Sequence, residues 1–475
     1  MTKLPFAISL CALVGCGGIP STTQKHKVAQ RTVALHVKNG TGVKALGRGA
    51  LVTWWRTADD SDDPVERFVS DLSRTTVTPV SDFSRNGIQV TLEVPPDATG
   101  IRVLFDNQGV FLPAYLGREH LPGADVPLVE TALGSNALDV ALSLSKKERN
   151  KELCTAPGLQ RIPVELPSAA DATNSARFLC ARVPQSSKEH PNKRYPVLYL
   201  LPGLGSHGAQ YLEGKNAIGK AIDDAGLELI AVGVDTSTKT GSAYFTNHRH
   251  GGQWLDAFEN VVQAVESNLP AKTNSACRYL MGQSTGGFNS VYLSLTKPEY
   301  FGGVVSSAPD GLDLAHWLAT PSGTHLKPRW RDWNNLEIGL AEARFPNFGQ
   351  FISYALSWSP QENNPPAMVA DRKGRLHQEI WSAWLEHSPI NLLSEPKKRG
   401  IFKQHLADKL FVIIGRNDEF GLYPPAKQFS RKLRSMEIPH EFVTTEDGHG
   451  GQHGRFKRGL EFLKAKPCLK PGRSD

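Results

Sequence analysis

A serine hydroxyl at its ordinary pKa is a poor nucleophile, so a serine poised for chemistry needs a base, and the base needs an orienting acid. Ser284 stands in Gly282-Gln283-Ser284-Thr285-Gly286, between an apolar strand pattern (Tyr279 to Met281) and a helical one. On so sharp a turn the serine is held in a strained conformation, and glycines at 282 and 286 lack the Cβ atoms that would clash with the neighbouring strand and helix. The Oγ is then exposed at a helix N-terminus, where backbone N–H groups face a developing oxyanion. The five-residue string is common by chance; its strand–turn–helix context gives it weight.

The order serine, acid, histidine places the partners downstream, on loops after successive strands. KLFVIIGRNDEFGL is an apolar run ending in Gly415 and then Asp418, and HEFVTTEDGHGGQHGRF is a strand followed by a Gly-rich loop with two histidines. Asp418 and His449 therefore fall where acid and base are required. His453, closer to the helix that follows (Phe456 to Leu463), is the competitor of His449. Glu419 competes with Asp418, and Asp310, ending the apolar run GGVVSSAPD, is a third candidate acid at a strand's C-terminal edge. An oxyanion needs a second donor besides the N–H of Thr285. The strand YPVLYLL runs into PGLGSHG, and its tight glycine turn offers Leu204 or Gly205. That turn has neither the Walker lysine nor the dinucleotide spacing, which argues against a phosphate cradle.

From about Ser175 onward the chain resembles the bacterial putative-esterase family of α/β-hydrolases, in its enterochelin-esterase-like and feruloyl-esterase-like branches. The matching residues are RYPVLYLLPGLG (Arg194 to Gly205), the tract Gly251 to Leu269, GQSTGG (Gly282 to Gly287) and GRNDEFGL (Gly415 to Leu422). His449 lies six residues before Arg455, similar to the family's His-then-Arg spacing, which favours it over His453. SYALSWSPQENNPP and WSAWLEHSP resemble the enterochelin-esterase-like branch less specifically. Where the family often has His-Gly at the oxyanion turn, this chain has Pro202-Gly203; a backbone donor does not depend on that side chain. The resemblance implies an α/β-hydrolase fold and carboxylic ester hydrolysis.

The 475 residues, 40% of them hydrophobic, suffice for two or three domains. MTKLPFAISLCALVGCGG has a basic residue, an apolar stretch too short to span a bilayer, and Leu13-Val14-Gly15-Cys16, which resembles a bacterial lipobox. The expectation is a signal peptide over 1–15, lipidation at Cys16 and a polar tether over 16–30, anchoring an exported lipoprotein to a membrane at the periplasm or cell surface. Export permits disulfides. Cys154, Cys180, Cys277 and Cys468 remain, allowing three pairings among which the sequence does not choose. The net charge of +7 is mild for this length and no nucleic-acid-binding motif is present.

Residues 31–145 show period-two alternation, as at Ile88, Val90, Leu92 and Val94, and again at Ile101, Val103 and Phe105. This predicts a small N-terminal β-sandwich of Ig-like or E-set type. ADDSDDP (Ala58 to Pro64) has oxygen density without EF-hand spacing and reads as a solvated acidic loop. A polar connector is placed at 146–170. Over 171–468, apolar runs alternate with helical patterns, which predicts a mostly parallel sheet flanked by helices. An insertion over 311–408 without an obvious strand is read as a cap. Its tryptophans, Trp317, Trp330, Trp333, Trp358, Trp381 and Trp384, are either platforms for sugar or aromatic rings or, more commonly in caps, core anchors. His248 and His250 have no third ligand nearby, so no metal is expected, and no cofactor.

The function expected is a serine esterase with Ser284, His449 and Asp418 as triad and the N–H groups of Thr285 and Leu204 as oxyanion hole. A polysaccharide-linked or siderophore-type ester suits an exported enzyme. An acyltransferase would use the same triad while excluding water, and a binding lipoprotein with a vestigial hydrolase domain would lack a reactive serine. Because His449 must be neutral to act as base, activity is expected to fall below about pH 6 to 7.

Overall fold

The computed structural model describes residues 153–470 except 168–173, 214–217, 239–240, 344–348 and 364–366, together with the upstream strand segments 31–39, 49–55, 76–79, 88–94, 100–105, 128–132 and 137–142. The expected leader, Cys16, the tether and the acidic segment Ala58 to Pro64 lie outside the described residues. The upstream strands are β1 (Arg31–Asn39), β2 (Gly49–Trp55), β3 (Thr76–Pro79), β4 (Ile88–Val94), β5 (Gly100–Phe105), β6 (Leu128–Ala132) and β7 (Ala137–Leu142). They divide between a sheet ordered β4-β1-β7 and another ordered β3-β2-β5-β6. The consecutive strands β4 and β5 thus belong to different sheets, the connectivity that a two-sheet module requires.

Apolar runs without period-two alternation are buried on both faces, and here they pair into one sheet. Its strands are β8 (Leu159–Pro167), β9 (Asn174–Arg182), β10 (Val197–Leu201), β11 (Ile230–Gly233), then, after two hairpins of two-residue strands, β12 (Ser237–Thr238) with β13 (Gly241–Ser242) and β14 (Asn247–His248) with β15 (Gly252–Gln253), the strands β16 (Arg278–Gln283), β17 (Gly303–Ser307), β18 (Leu410–Gly415) and β19 (Glu441–Thr445). The order is β19-β18-β17-β16-β10-β11-β9-β8. From β19 to β11 every pair is parallel, while β9 and β8 are antiparallel additions. Val197, Tyr199 and Leu201 of the central β10 enter one core and Leu198 and Leu200 the other, as strand alternation dictates. Each such side chain contributes about 1.5–3 kcal/mol by its burial.

The edge strand β8 lies within the stretch read as connector (146–170). Its sequence LQRIPVELP does alternate, with Ile162, Val164 and Leu166 buried, but Pro163 and Pro167 mask the pattern, because proline is confined to edge strands and strand ends. The sheet therefore begins before residue 171.

Helices α1 (Gly219–Asp224), α2 (Trp254–Asn268) and α3 (Thr285–Thr296) connect the central strands, and the segment between β17 and β18 folds as helices, as its lack of strand pattern predicted. These are α4 (Leu314–Leu318), α5 (Pro328–Ala343), α6 (Gln350–Trp358), α7 (Gln378–Glu386), α8 (Pro389–Leu392) and α9 (Arg399–Leu406); α10 (Tyr423–Ser435) and α11 (Gln452–Lys464) complete the chain. No helix of the described residues is long and apolar enough to cross a membrane. All six cap tryptophans are buried, Trp384 fully and Trp358 with 1% of its surface exposed, so they are core anchors and not open platforms. Trp358 stacks on Tyr354 at 4.1 Å, and Tyr354 packs on Tyr244 of the body at 4.8 Å.

Glu337 of α5 clamps the cap internally. Its carboxylate accepts from the backbone N–H of Gln350 and of Ile352, each at 2.9 Å, at the N-terminus of α6, and from the Trp333 indole. A Cβ on Gly349 would lie 2.4 Å from this carboxylate, which explains the glycine there. Burial pushes the Glu337 pKa up to about 8, against backbone and indole donors that all favour the anion.

The four described cysteines pair as Cys154–Cys180 and Cys277–Cys468, with Cα separations of 5.5 and 5.3 Å. The second ties the start of β16 to the C-terminal segment. Reducing the folded protein is expected to lower its stability by about 3 kcal/mol or more per bridge, read as a lower denaturation midpoint, and peptide mapping of the oxidised protein should return these two pairs. Glu337→Gln, which sets an amide against the N-terminus of α6, is expected to cost about 2 kcal/mol in urea denaturation.

Candidate active site

Strand β16 delivers the chain to Ser284, which has φ 55° and ψ −122° and stands at the N-cap of α3. A positive φ on a residue with a Cβ costs on the order of 1–3 kcal/mol and must be imposed by its surroundings. The imposition is visible. A Cβ on Gly282 would lie 2.1 Å from the Gly286 carbonyl oxygen, and one on Gly286 would lie 1.9 Å from that of Leu201. The Ser284 N–H donates to the Ser307 carbonyl at 3.0 Å, and the Ser284 carbonyl accepts from the Asp310 and Phe288 N–H groups at 3.1 and 2.9 Å. The side chain is left partly exposed at the helix end.

Asp418 follows β18 and His449 follows β19. The imidazole Nδ1 lies 2.8 Å from Asp418 Oδ2. The Asp418 side chain is fully buried, and its Oδ1 accepts from the backbone N–H groups of Phe420 (3.0 Å) and Leu422 (3.4 Å). Because the carboxylate is acceptor-only, Nδ1 must carry the proton and Nε2 its lone pair, the tautomer a general base requires.

Glu419, the competing acid, has a different place: it accepts from the His449 backbone N–H at 2.6 Å. The buried Arg455 donates to the His449 carbonyl at 3.1 Å, to that of Gly448, and to the Asp447 carboxylate at 2.9 Å. A Cβ on Gly415 would meet the Asp447 carbonyl oxygen at 1.9 Å, so the acid and base loops touch through bare backbone. His453 is exposed on α11. From the cap, the Trp317 indole donates to the Phe420 carbonyl at 2.9 Å and Arg329 donates to that of Glu419. No local pattern signals these two cap contacts, which join residues roughly a hundred positions apart.

At the turn after β10, the Gly203 N–H donates to the Tyr211 hydroxyl at 3.3 Å and the Gly205 N–H to the Gly241 carbonyl at 3.1 Å. Gly205 has φ 69°, the position of a type II turn that favours glycine, and the turn closes by Ser206 N–H to Gly203 C=O at 3.1 Å. Leu204 is the residue of this turn whose N–H has no partner among the described residues, and Thr285, first in α3, has no intrahelical acceptor for its own.

Asp310 lies against the serine itself. Ser284 Oγ donates to Asp310 Oδ1 at 3.2 Å, while Oδ2 accepts from Thr285 Oγ1 (2.8 Å), the Tyr244 hydroxyl (2.9 Å) and Gln350 Nε2 of the cap (3.1 Å). It is 3% exposed. Burial pushes its pKa up, opposed by these donors and by the nearby His449. Burial pulls the His449 pKa down, but the carboxylates of Asp418, Glu419 and Asp310 outweigh it and hold the imidazole above its ordinary value. His248 is committed to the Ser359 carbonyl at 2.7 Å, and the described residues hold no metal-binding cluster.

Residues 171–341 match the sequence family described as putative esterase. That span carries Leu204, Ser284 and Thr285 and ends before Asp418 and His449. Among solved structures, a ferulic acid esterase aligns with TM-score 0.43 at 16% identity, over 64% of this chain and 97% of that one. An S-formylglutathione hydrolase from Staphylococcus aureus gives 0.43 at 18% identity, over 64% and 98%. A ferulic acid esterase from the anaerobic fungus Anaeromyces mucronatus gives 0.36 at 16% identity, over 69% and 97%.

The raised His449 pKa has a definite sign in any reaction that uses the neutral imidazole. The acid limb of kcat/KM is expected above the ordinary imidazole value of about 6.5, with rate lost as pH falls through it; a pH–rate profile whose limb sits below 6 contradicts it. Arg455→Met, which frees the loop carrying His449, is expected to lower kcat at least about tenfold with little change in KM, measured by steady-state kinetics.

Proposed function

We propose, from the match of residues 171–341 to the putative-esterase family, that the protein is a carboxylic ester hydrolase of the α/β-hydrolase fold and that it works through Ser284, His449 and Asp418. Ser284 Oγ attacks the ester carbonyl while His449 Nε2 takes its proton. Asp418 holds the imidazole and stabilises its cation, and the N–H groups of Thr285 and Leu204 receive the tetrahedral oxyanion. The leaving alcohol takes the proton from His449, and water, activated by the same imidazole, resolves the acyl-enzyme. The observation that carries this reading is the 2.8 Å contact of His449 Nδ1 with buried Asp418, on loops that follow the neighbouring strands β18 and β19 of the sheet whose strand β16 delivers the strained serine.

The substrate class we propose is an ester met outside the cytoplasm, polysaccharide-linked or siderophore-type, handled by an exported lipoprotein anchored through Cys16. Two supports are the leader-like start of the chain, with its Leu13-Val14-Gly15-Cys16 segment, and the pairing of the four downstream cysteines in disulfides. The buried cap tryptophans do not contribute to sugar recognition.

Ser284→Ala is expected to reduce hydrolysis of an activated acetyl ester at least about 10⁴-fold and to abolish labelling by a fluorophosphonate; a variant retaining its full rate defeats the assignment. Screening acetylated and feruloylated polysaccharide against siderophore esters decides the substrate class. Transfer to an added alcohol in preference to water would identify an acyltransferase. Cys16→Ser is expected to move the protein from the detergent phase to the aqueous phase in a detergent-partition assay.

A further inference from the structure

Two carboxylates converge on this site, and the mechanism above uses one. Asp310 follows β17 and Asp418 follows the adjacent β18, so both stand at the C-terminal edge of the sheet beside the nucleophile. The placement of Asp310 is built into the backbone. Ser284 N–H donates to the Ser307 carbonyl, and Asp310 N–H donates back to the Ser284 carbonyl at 3.1 Å. The nucleophile and this aspartate are therefore fixed to each other through main chain before their side chains meet.

The partners of Asp310 are unusual for a buried carboxylate. They are a serine, a threonine and a tyrosine hydroxyl and one amide, all neutral, and among the described residues no lysine or arginine pairs with it. A buried anion without a counter-ion is poorly compensated at rest. The cation within its electrostatic reach is the imidazolium of His449, which forms fully as the base takes the proton from Ser284, the residue that Asp310 touches at 3.2 Å; the ring and the Asp310 carboxylate each influence the other's titration. An interaction that strengthens as the proton moves to the imidazole accelerates the step, because it is stronger in the transition state than in the ground state.

We propose that Asp310 is a second catalytic carboxylate, which receives the Ser284 hydroxyl in the resting enzyme and balances the His449 imidazolium from the nucleophile's side during acyl transfer. In the first step the Ser284 hydroxyl turns from Asp310 Oδ1 to His449 Nε2. The Oγ–H bond breaks as Oγ bonds to the carbonyl carbon, the proton passes to Nε2, and the π electrons move onto the oxyanion. Asp310 takes no proton; it remains an anion held by Thr285, Tyr244 and Gln350. The imidazolium then has Asp418 at Nδ1 and the Asp310 carboxylate as a second anion acting on it. The acidic groups facing His449 are Asp418, Glu419 and Asp310, and Arg329 of the cap and Arg455 of α11 face the same loops. The first two acids and both arginines are untouched by the test below.

This inference rests on the serine esterase reading, and the two fail separately: retention of activity by Ser284→Ala sinks that reading whatever Asp310 does. The test is Asp310→Asn, near-isosteric and uncharged, assayed on p-nitrophenyl acetate from pH 5 to 9 alongside the rate of fluorophosphonate labelling. Loss of the charge is expected to lower kcat at least about tenfold with little change in KM. It is also expected to move the acid limb of both rates towards lower pH by about half a unit to one unit, since a neighbouring anion raises an imidazole pKa. A residue that only braces the cap against the turn would lower the rate without moving the limb. That outcome, or an unchanged enzyme, overturns the proposal. If Asp310→Asn does not fold, Tyr244→Phe withdraws one donor and leaves the anion, which raises the titration of Asp310 towards the limb. A smaller shift in the same direction is then expected, and a shift towards higher pH or none overturns the proposal.

Discussion

The rest of the structure depends on a backbone conformation that a serine adopts only under compulsion. At φ 55° and ψ −122°, Ser284 is held by what its neighbours lack as much as by what they supply. The carbonyl oxygens of Gly286 and Leu201 occupy the volumes that Cβ atoms on Gly282 and Gly286 would need. The strain, on the order of 1–3 kcal/mol, is small beside the burial of the strands and helix that meet there. Val197 to Leu201 of β10 and Arg278 to Gly282 of β16 are all buried, and α3 is buried along nearly its whole length. A rigid two-sided core therefore fixes a residue that could not fix itself.

His449 and Asp418 are positioned by a different device. Their loops leave adjacent strands, β18 and β19, and hold each other through main-chain atoms: Glu419 to the His449 N–H, Arg455 to the His449 carbonyl, and Gly415 packed directly on the Asp447 carbonyl. The cap reaches the same place, since Trp317 and Arg329 bind the carbonyls of Phe420 and Glu419, and Gln350 binds Asp310. Glu337 in turn seats the N-terminus of the helix that begins with Gln350. The insertion is thus tied directly to the loop that carries Asp418 and to Asp310, and its buried tryptophans are the means by which it stays attached.

Much of this was legible in the sequence, and the divide follows physical lines. Apolar runs exposed the strands that became β9, β10, β11, β16, β17, β18 and β19; the central ones, β10, β11, β17 and β18, are buried on both faces and apolar accordingly, whereas β19 at the edge is only half-buried. The turn at Ser284 and the loops of Asp418 and His449 could be found because glycine marks places where backbones touch. What was hidden is whatever depends on partners distant in sequence. β8 was masked by Pro163 and Pro167, which an edge strand tolerates. The pairing of Cys154 with Cys180 and Cys277 with Cys468 needs coordinates. Burial of the cap tryptophans and the role of Glu419 as a backbone clamp turn on contacts that no local pattern encodes.

The same two carboxylates that competed for one role in the sequence are separated by their environments. Asp418 takes backbone N–H groups on one oxygen and the imidazole Nδ1 on the other, so it sets the tautomer and leaves Nε2 free. Asp310 takes neutral side-chain donors and touches Oγ at 3.2 Å, so in this position it cannot direct Nδ1. Pairs of titratable groups whose surroundings differ in this way divide acid and base duties between them. With Nδ1 claimed by Asp418, a proton leaving Ser284 in the proposed reaction would have Nε2 as its destination, and Asp310 would act on the charge that arrives there.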